Sequence, residues 1–332
     1  MRYKAIDDIK IGDMLAIALY DTDNRLLLAG GKPLTYRVIE TVRAMGIQGL
    51  YIEDKFSEGI EVTDCMPPEF RGEIIQSLKN FDIDHSVECA RKMVDMVMEG
   101  NTYLEYVNLK TFDNYTYEHS LSVSFYATLM GMALDYAKEE LTNLTVAGLL
   151  HDLGKQMIPE SILNKPGKLT EEEYEKVKQH PYLGYIMLRE NHTISSTIRV
   201  SIYQHHENED GSGYPCHLKG DQIYRFAKII HIVDVYDALI SKRPYKEPMP
   251  VAKELEFIQQ KSGSMFDEHY IDVFLKIVPA YIKGSEVRLS NGENGIVAEN
   301  YANSVLRPKV RLFSGKEISL RDDEAYQDVK II

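Results

Sequence analysis

The sequence contains no tryptophan, few cysteines and no long apolar run. The three cysteines, Cys65, Cys89 and Cys216, are odd in number and far apart. This pattern argues against a disulfide framework and fits a reducing cytosol, so we expect a cytoplasmic protein. No stretch approaches the roughly 18 apolar residues that a membrane-spanning helix needs, and the charged N-terminus is unlike a signal peptide. We therefore expect no insertion into a membrane.

Positive charge is also in short supply. The chain of 332 residues has 38 Lys and Arg against 51 Asp and Glu, which gives a formal net charge of −13. So acidic a surface argues against binding to polymeric nucleic acid, because phosphate contacts need clustered cations. It leaves open a small phosphate ligand in a locally basic pocket. The 44% hydrophobic content is typical of globular proteins, and the length predicts two or three domains.

Three familiar catalytic motifs are missing from the sequence. It has no Gly-rich Walker loop, no nucleophile elbow and no Cys-x-x-Cys pair. P-loop nucleotide hydrolysis, α/β-hydrolase chemistry and thioredoxin-like redox chemistry are therefore excluded as interpretations.

The two ends of the chain show short β-type patterns. Near the start, three such runs surround one helical pattern, and near the end four runs form two hairpins around Gly-containing turns. We predict a small α/β regulatory module over residues 1–60 and a small β module over 284–332. The β-type runs lie at 14–19, 25–28, 50–52, 287–289, 295–299, 310–313 and 317–320, and the helical pattern lies at 34–45.

The middle of the chain is helical by the periodicity of its apolar residues. We predict a linker and leading helices over 61–113, followed by a helical domain over 114–283. The fold class is therefore mainly α, with small modules at both ends. The clearest helical patterns lie at 125–137, 141–150, 223–240, 251–260 and 270–282.

Several histidines and aspartates in the middle segment have the chemistry of metal ligands. His151-Asp152 follows an apolar helix and supplies a neutral nitrogen beside a carboxylate that can bridge two metals. Taken alone, His151 is as well explained as a hydrogen-bonded core residue. The adjacent His205 and His206 are harder to explain in an apolar core, because each ring carries polar nitrogens that need partners. His231 is a weaker candidate of the same kind.

Other polar residues lie close to these in the sequence. Gly213-Tyr214-Pro215 follows the histidine pair, and such a loop lets backbone approach a ligand and presents an aromatic face. Asp234 and Asp237 share one face of a predicted helix with apolar surroundings, where a carboxylate is costly unless it meets a cation. The alternative is a pair at a helix end. Arg243 and Lys246 come next and are equally consistent with a solvated basic patch.

In their order along the chain, these motifs resemble those of the HD-GYP family of bacterial cyclic di-GMP phosphodiesterases. The resemblance spans about residues 114–282. It rests on the following residues: Thr116, His119, Leu149–Lys155, Lys165–Thr170, His180-Pro181, His205–Glu207, Asp210–Pro215, Asp234–Leu239 and Arg243–Lys246.

The resemblance implies a helical HD fold that holds transition metals. It assigns Asp152 as the bridging, catalytic carboxylate and Lys155 as a catalytic residue that also holds phosphate. It also implies contacts of Gly213, Tyr214, Asp237, Arg243 and Lys246 with the substrate. The metal ligands that it implies are His119, His151, Asp152, His180, His205, His206 and Asp234.

Tyr115 departs from part of that family. Members with three metals carry Glu four residues before the first histidine ligand, and a phenol is a poor substitute for a bridging carboxylate. Glu118 is adjacent to His119 and so points to a different helix face. We therefore expect two divalent transition metals per chain, with Fe first and Mn, Co or Ni as alternatives.

The expected function is hydrolysis of cyclic di-GMP to linear pGpG by a hydroxide that bridges the metals. Further cleavage of pGpG to GMP stays open. Two alternatives stay open: hydrolysis of another substrate of the HD superfamily, such as a different cyclic dinucleotide, and a catalytically weak binding or scaffold protein. The terminal modules could support a homodimer or a protein partner.

Overall fold

The computed structural model of the chain describes residues 1–21, 25–47, 49–62, 66–99, 115–240, 251–301 and 303–332. Residue contacts divide the chain into two compact units. One unit combines Met1–Gly72 with Leu275–Ile332, and the other contains Glu73–Asn101 and Thr116–Phe274. None of the described helices is both long enough and apolar enough to cross a bilayer.

The first unit contains two four-stranded sheets, one from each end of the chain. The N-terminal sheet has the strand order β1-β6-β2-β5 and is accompanied by a β3-β4 hairpin. The C-terminal sheet is an antiparallel meander in the order β10-β9-β8-β7. The strands are β1 Arg2–Ala5, β2 Met14–Leu15, β3 Leu19–Tyr20, β4 Leu26–Leu28, β5 Lys32–Pro33, β6 Gly49–Glu53, β7 Glu286–Arg288, β8 Asn294–Glu299, β9 Lys309–Leu312 and β10 Glu317–Ser319.

Each sheet buries its own apolar cluster. Helix α1, Tyr36–Ala44, begins at the N-cap Thr35, and its buried Ile39 and Val42 cover the N-terminal sheet. Within this unit the two modules also meet directly, since the backbone N–H of Tyr3 in β1 donates to the carbonyl of Gly284 at 2.9 Å.

The second unit is helical and is the larger of the two. Its helices form because apolar residues recur at helical spacing and capping residues mark several starts, as Thr170 does for α7. Helices α2 and α12 extend across the unit boundaries. The helices are α2 Pro68–Lys79, α3 Ile83–Glu99, α4 Tyr115–Ala133, α5 Lys138–Leu150, α6 Glu160–Leu163, α7 Glu171–Val177, α8 His180–Met187, α9 Ser196–Gln204, α10 Arg225–Ile240, α11 Val251–Gln260 and α12 Glu268–Ile277.

Helices α4 and α5 approach each other unusually closely. A Cβ on Gly148 would lie 2.9 Å from the Cα of Ser124, so only glycine permits this spacing. The Ser124 hydroxyl donates to the Thr145 carbonyl at 2.8 Å, which satisfies its polar oxygen in the core. This contact fixes the end of α5 beside α4.

The predicted fold class is confirmed, since the chain is mainly helical with small sheets at both ends. Some element bounds differ from the sequence pattern. The helix predicted at 125–137 is α4 and ends at Ala133, because Asp135 adopts a left-handed φ of 56° that a helix cannot continue through. The run at 14–19 is divided between β2 and β3.

Candidate metal centre

Seven polar side chains from five helices and their ends converge in the second unit. His119 lies in α4, the pair His151-Asp152 follows the last residue of α5, and His180 is the first residue of α8. His205-His206 follows the end of α9, and Asp234 lies within α10. Of these residues, all but His206 are buried. The structure thus gathers the seven residues for which the sequence implied a metal-ligating role.

The turn at His151-Asp152 packs directly against the start of α8. Gly154, two residues later, has no room for a side chain, because a Cβ there would clash with the backbone carbonyl of His180. This close approach brings Asp152 Oδ1 to 3.2 Å from His180 Nε2. The glycine therefore determines how the two chain segments meet.

Three of the histidines are held in the same way. The Nδ1 of His151, His180 and His205 donates to the carbonyl of the residue three positions earlier, at 2.8, 2.7 and 2.6 Å. This hydrogen bond places the proton on Nδ1, so each Nε2 presents a lone pair to the centre. The Nε2 atoms of His180 and His205 face each other at 3.2 Å.

Two aspartates surround the fourth histidine, His119. Its Nδ1 lies 2.6 Å from Asp237 Oδ2, and its Nε2 lies 3.0 Å from Asp234 Oδ1. Burial opposes protonation, but the hydrogen bonds from Asp234 and Asp237 outweigh it and raise the pKa of His119. Asp237 is fully buried and contacts the Nδ1 atom of His119. The substrate contact that the resemblance implies for Asp237 stays a prediction.

Asp152 lies between two groups of histidines. Its Oδ2 is 3.4 Å from His151 Nε2, while its Oδ1 faces His180. Lys155 Nζ donates to Oδ2 at 2.5 Å. Burial disfavours the charged carboxylate, yet Lys155 and His151 hold the pKa of Asp152 well below its ordinary value. Asp152 is therefore an ionised carboxylate with one oxygen directed toward each group.

The donor set fits divalent transition metals. His151 Nε2 is buried without a hydrogen-bond partner, and such an orphaned lone pair is costly unless a cation meets it. Loss of contact with water and the neighbouring histidines lower the pKa of His205 and of the partly buried His206 well below the ordinary value, so both rings are neutral and can act as ligands. Ligand atoms of His119, His151 and Asp152 lie within 4.8 Å of one another, and so do those of His180, His205 and His206.

The Gly-Tyr-Pro loop lies against this centre. The ring of Tyr214 stacks on His206 at a centroid distance of 4.7 Å, and the Tyr214 N–H donates to the His206 carbonyl at 3.1 Å. A Cβ on Gly213 would clash with the backbone of residues 206 and 208. Burial raises the pKa of the Tyr214 phenol, so it remains neutral.

Sequence reasoning assigned no role to Glu207. Its buried carboxylate accepts the N–H groups of Cys216 at 2.6 Å and of Leu218 at 3.0 Å, which fastens the Gly-Tyr-Pro loop. An acidic residue between two histidines and a glycine-rich loop is the sequence signal that could have identified it. His231, the weaker candidate, lies beside His206, and its Nε2 donates to Asn208 Oδ1 at 3.0 Å.

Three residues that the sequence analysis singled out have no described side chain, so their distance from the centre is not known. Arg243 and Lys246 lie outside the described residues. Tyr115 is the first residue of α4, four positions before His119, but its side chain is likewise not described.

Comparison with known proteins identifies the same part of the chain. A family model described as HD domain matches residues 107–270. A cyclic di-GMP phosphodiesterase of Pseudomonas aeruginosa is 39% identical over 213 residues, which cover 64% of this chain and 51% of that protein. The cyclic di-GMP phosphodiesterase response regulator RpfG of Xanthomonas campestris is 40% identical over 156 residues, 46% of this chain and 41% of its own length.

A third relative is named for a different substrate. The 3'3'-cGAMP-specific phosphodiesterase 3 of Vibrio cholerae is 35% identical over 153 residues, which cover 46% of this chain and 33% of that protein. The chain thus spans about half or less of the length of these curated relatives.

A solved structure supports the fold. The HDG"Y"P protein Bd1817 from Bdellovibrio bacteriovorus superimposes with a TM-score of 0.51 and 15% identity, covering 82% of this chain and 97% of that one. At this identity the likeness concerns the fold alone. The matched segment, the similar relatives and the converging His and Asp side chains agree in identifying residues 107–270 as a segment similar to the HD domain family.

Proposed function

We propose that this chain is a metal-dependent phosphodiesterase that hydrolyses cyclic di-GMP to linear pGpG. The observation that carries the proposal is the convergence of five histidines and two aspartates with inward-facing lone pairs, one of which is orphaned. The similarity to the cyclic di-GMP phosphodiesterases of Pseudomonas aeruginosa and Xanthomonas campestris supports the choice of substrate.

We infer two metals per chain because Tyr115 stands where members with three metals carry Glu. The donors form overlapping sets, since ligand atoms of His151, His205 and Asp234 also lie within 4.8 Å of one another. Asp152 directs one oxygen to each group, and Asp234 does the same, with Oδ1 at 3.0 Å from His119 and Oδ2 at 3.9 Å from His206. Divalent metals bound there would lower the pKa of water and neutralise charge on phosphoryl oxygens. Ferrous iron is the proposed metal, and Mn, Co and Ni suit the same donors.

The remaining residues would bind and orient the substrate. Lys155 reaches the centre from a half-buried position, and its ammonium can turn from Asp152 to a phosphoryl oxygen. Tyr214, stacked on His206, offers an aromatic face for a guanine base. Arg243 and Lys246 are proposed to hold the phosphates farther from the reacting atom. Their alanine variants should raise KM at unchanged metal content.

The alternative substrate is another cyclic dinucleotide. The 3'3'-cGAMP-specific relative is 35% identical to this chain, so sequence identity alone does not decide between cyclic di-GMP and 3'3'-cGAMP as the substrate. The same assay shows whether pGpG is cleaved further to GMP. A catalytically weak scaffold is disfavoured, because every proposed ligand is present.

The test is an anaerobic hydrolysis assay with product identification. Iron-loaded protein is incubated with equal concentrations of cyclic di-GMP, 3'3'-cGAMP and a mononucleotide, with the Asp152→Ala variant as the control. We expect pGpG from cyclic di-GMP as the preferred reaction, with none from the variant. Preferred cleavage of 3'3'-cGAMP would establish the alternative, and the absence of turnover with any dinucleotide would refute the enzymatic proposal.

We also propose a cytoplasmic location and a role for the terminal modules in association. Cys89 and Cys216 are free thiols, as expected in a reducing compartment. Sedimentation of the full chain and of a chain without residues 284–332 would show whether the C-terminal module supports a homodimer.

A further inference from the structure

We propose that helices α2 and α3 carry a second metal site, of the zinc class, formed by Glu73, His85 and Cys89. This site shares no residue with the candidate metal centre and does not depend on the proposed function. One ligand atom from each of the three residues lies within 4.8 Å of the other two. His85 and Cys89 are four residues apart on α3, so they share one helix face, and Glu73 faces them from α2.

The donor types suit a borderline-soft divalent cation. A thiolate, an imidazole and a carboxylate are the three protein ligands that zinc uses, and a water completes a tetrahedron. Bonds of about 2.0–2.3 Å place tetrahedral ligands roughly 3.5 Å apart. His85 Nε2 and Glu73 Oε1 are already 3.2 Å apart. The Cys89 sulfur lies within 4.8 Å of the ligand atoms of the other two residues.

An outer carboxylate supports this assignment independently. His85 Nδ1 lies 3.4 Å from Glu88 Oε2, on the ring nitrogen opposite the proposed metal. A carboxylate on the far nitrogen is the usual partner of a metal-bound histidine, since it fixes the tautomer that leaves Nε2 free. The cluster therefore contains an oriented ligand and not merely three nearby polar groups.

Two groups compete with the metal for its ligands: the proton on the Cys89 thiol and the ammonium of Lys92. Cys89 is buried, and burial, with Glu73, raises the pKa of its thiol to about 11. Metal binding must displace this proton, so affinity should rise with pH. Lys92 Nζ forms a salt bridge with Glu73 Oε1 at 2.7 Å and so competes with a metal for this oxygen. The Lys92 side chain is 54% exposed, so it can adopt another rotamer in which the oxygen is released.

Cobalt substitution can detect this site separately from the candidate centre. The seven residues of the centre include no sulfur, so a thiolate-to-cobalt charge-transfer band would report on a cysteine ligand. Metal-free full-length protein is titrated anaerobically with Co²⁺ under reducing conditions. We expect the band in the wild-type chain and in the control variant Cys65→Ser/Cys216→Ser, and its complete loss in Cys89→Ser.

Further variants separate coordination from misfolding. His85→Gln, at a half-exposed position, should also abolish the band while helical circular dichroism is retained. Glu88→Gln should weaken Co²⁺ binding by about 10–100-fold, and Lys92→Met should strengthen it by removing the competitor for Glu73. A band that persists in Cys89→Ser or His85→Gln, or a wild-type chain that binds Co²⁺ without the band, would overturn the site.

Discussion

At the scale of single residues, the direction in which each polar atom points decides which groups it can bind. Asp152 is the clearest case, because its two carboxylate oxygens face different groups of histidines. We predict that Asp152→Ala lowers turnover by about 10³-fold or more, since loss of several kcal/mol of charge stabilisation corresponds to a tenfold decrease per 1.36 kcal/mol. Metal content and steady-state kinetics are the measurements, and helical circular dichroism should stay near wild type. Full metal content with full turnover would contradict the bridging role.

Lys155 is half-buried, and its ammonium contacts the buried carboxylate of Asp152. We predict that Lys155→Ala lowers kcat and leaves metal content unchanged, because the ammonium stabilises charge that grows at phosphorus. Lys176→Ala, at an exposed position of α7, is the matched control and should behave as wild type. If both variants showed the same kcat as the wild-type chain, Lys155 would have no part in the chemistry.

Asp237 is predicted to position His119 rather than to touch the substrate. Its carboxylate holds Nδ1, which orients Nε2 toward the candidate centre. Asp237→Asn should therefore weaken metal binding by about 10–100-fold. The direct measurement is a competition titration with a chelator. An unchanged metal affinity combined with a raised KM would return Asp237 to the substrate-binding role that the sequence implied.

At the scale of secondary-structure elements, a buried cation joins three segments of the helical unit. Lys228 of α10 is 8% exposed and pairs with Asp267 at 2.8 Å and Glu209 at 3.1 Å. Burial opposes these charges, but their hydrogen bonds lower the pKa of Asp267 from 3.8 and raise that of Lys228 from 10.5. The stabilisation is therefore present between these values. It begins to be lost as the pH falls below 3.8, where the unfolded chain takes up a proton, and it is gone below the lowered pKa of Asp267. At high pH it is lost as the pH rises from 10.5 through the raised pKa of Lys228.

We predict that Lys228→Met lowers the free energy of unfolding at pH 7 by about 1–3 kcal/mol, because two carboxylates lose their partner. The deficit relative to the wild-type chain should shrink at pH 3.5. Denaturant unfolding at both pH values measures it, with Lys261→Met, an exposed lysine, as the control. An equal deficit at both pH values would mean that packing and not charge is responsible.

Elements with strong local signals were predictable from the sequence, and contacts between elements were not. The two C-terminal hairpins are confirmed near their predicted bounds, because glycine-containing turns and alternating apolar residues define them locally. Strand β1, Arg2–Ala5, has no such pattern and forms through its pairing with β6. The three-residue spacing of Asp234 and Asp237 placed both on one face but could not reveal that they lie on opposite sides of His119.

The α2–α3 cluster illustrates the same limit. Glu73 is twelve residues from His85 in the sequence, and only the pairing of the two helices brings them together. The four-residue spacing of His85 and Cys89 was visible but is common on helices with no metal.

At the scale of the whole molecule, a chain with a net charge of −13 concentrates histidine lone pairs and a lysine in one helical domain. The two ends of the chain form a separate unit, which leaves the candidate centre within residues 116–274. Metal dependence should therefore be a property of the helical unit.

Turnover measured against metal equivalents tests the central claim most directly. Metal-free Cys89→Ser protein, which lacks the α2–α3 site, is titrated anaerobically with Fe²⁺, and cyclic di-GMP hydrolysis is measured at each step. We predict no turnover without metal and a rise that saturates at two equivalents per chain, with pGpG as the product. Turnover in the metal-free protein, or saturation only at three equivalents per chain, would contradict this claim.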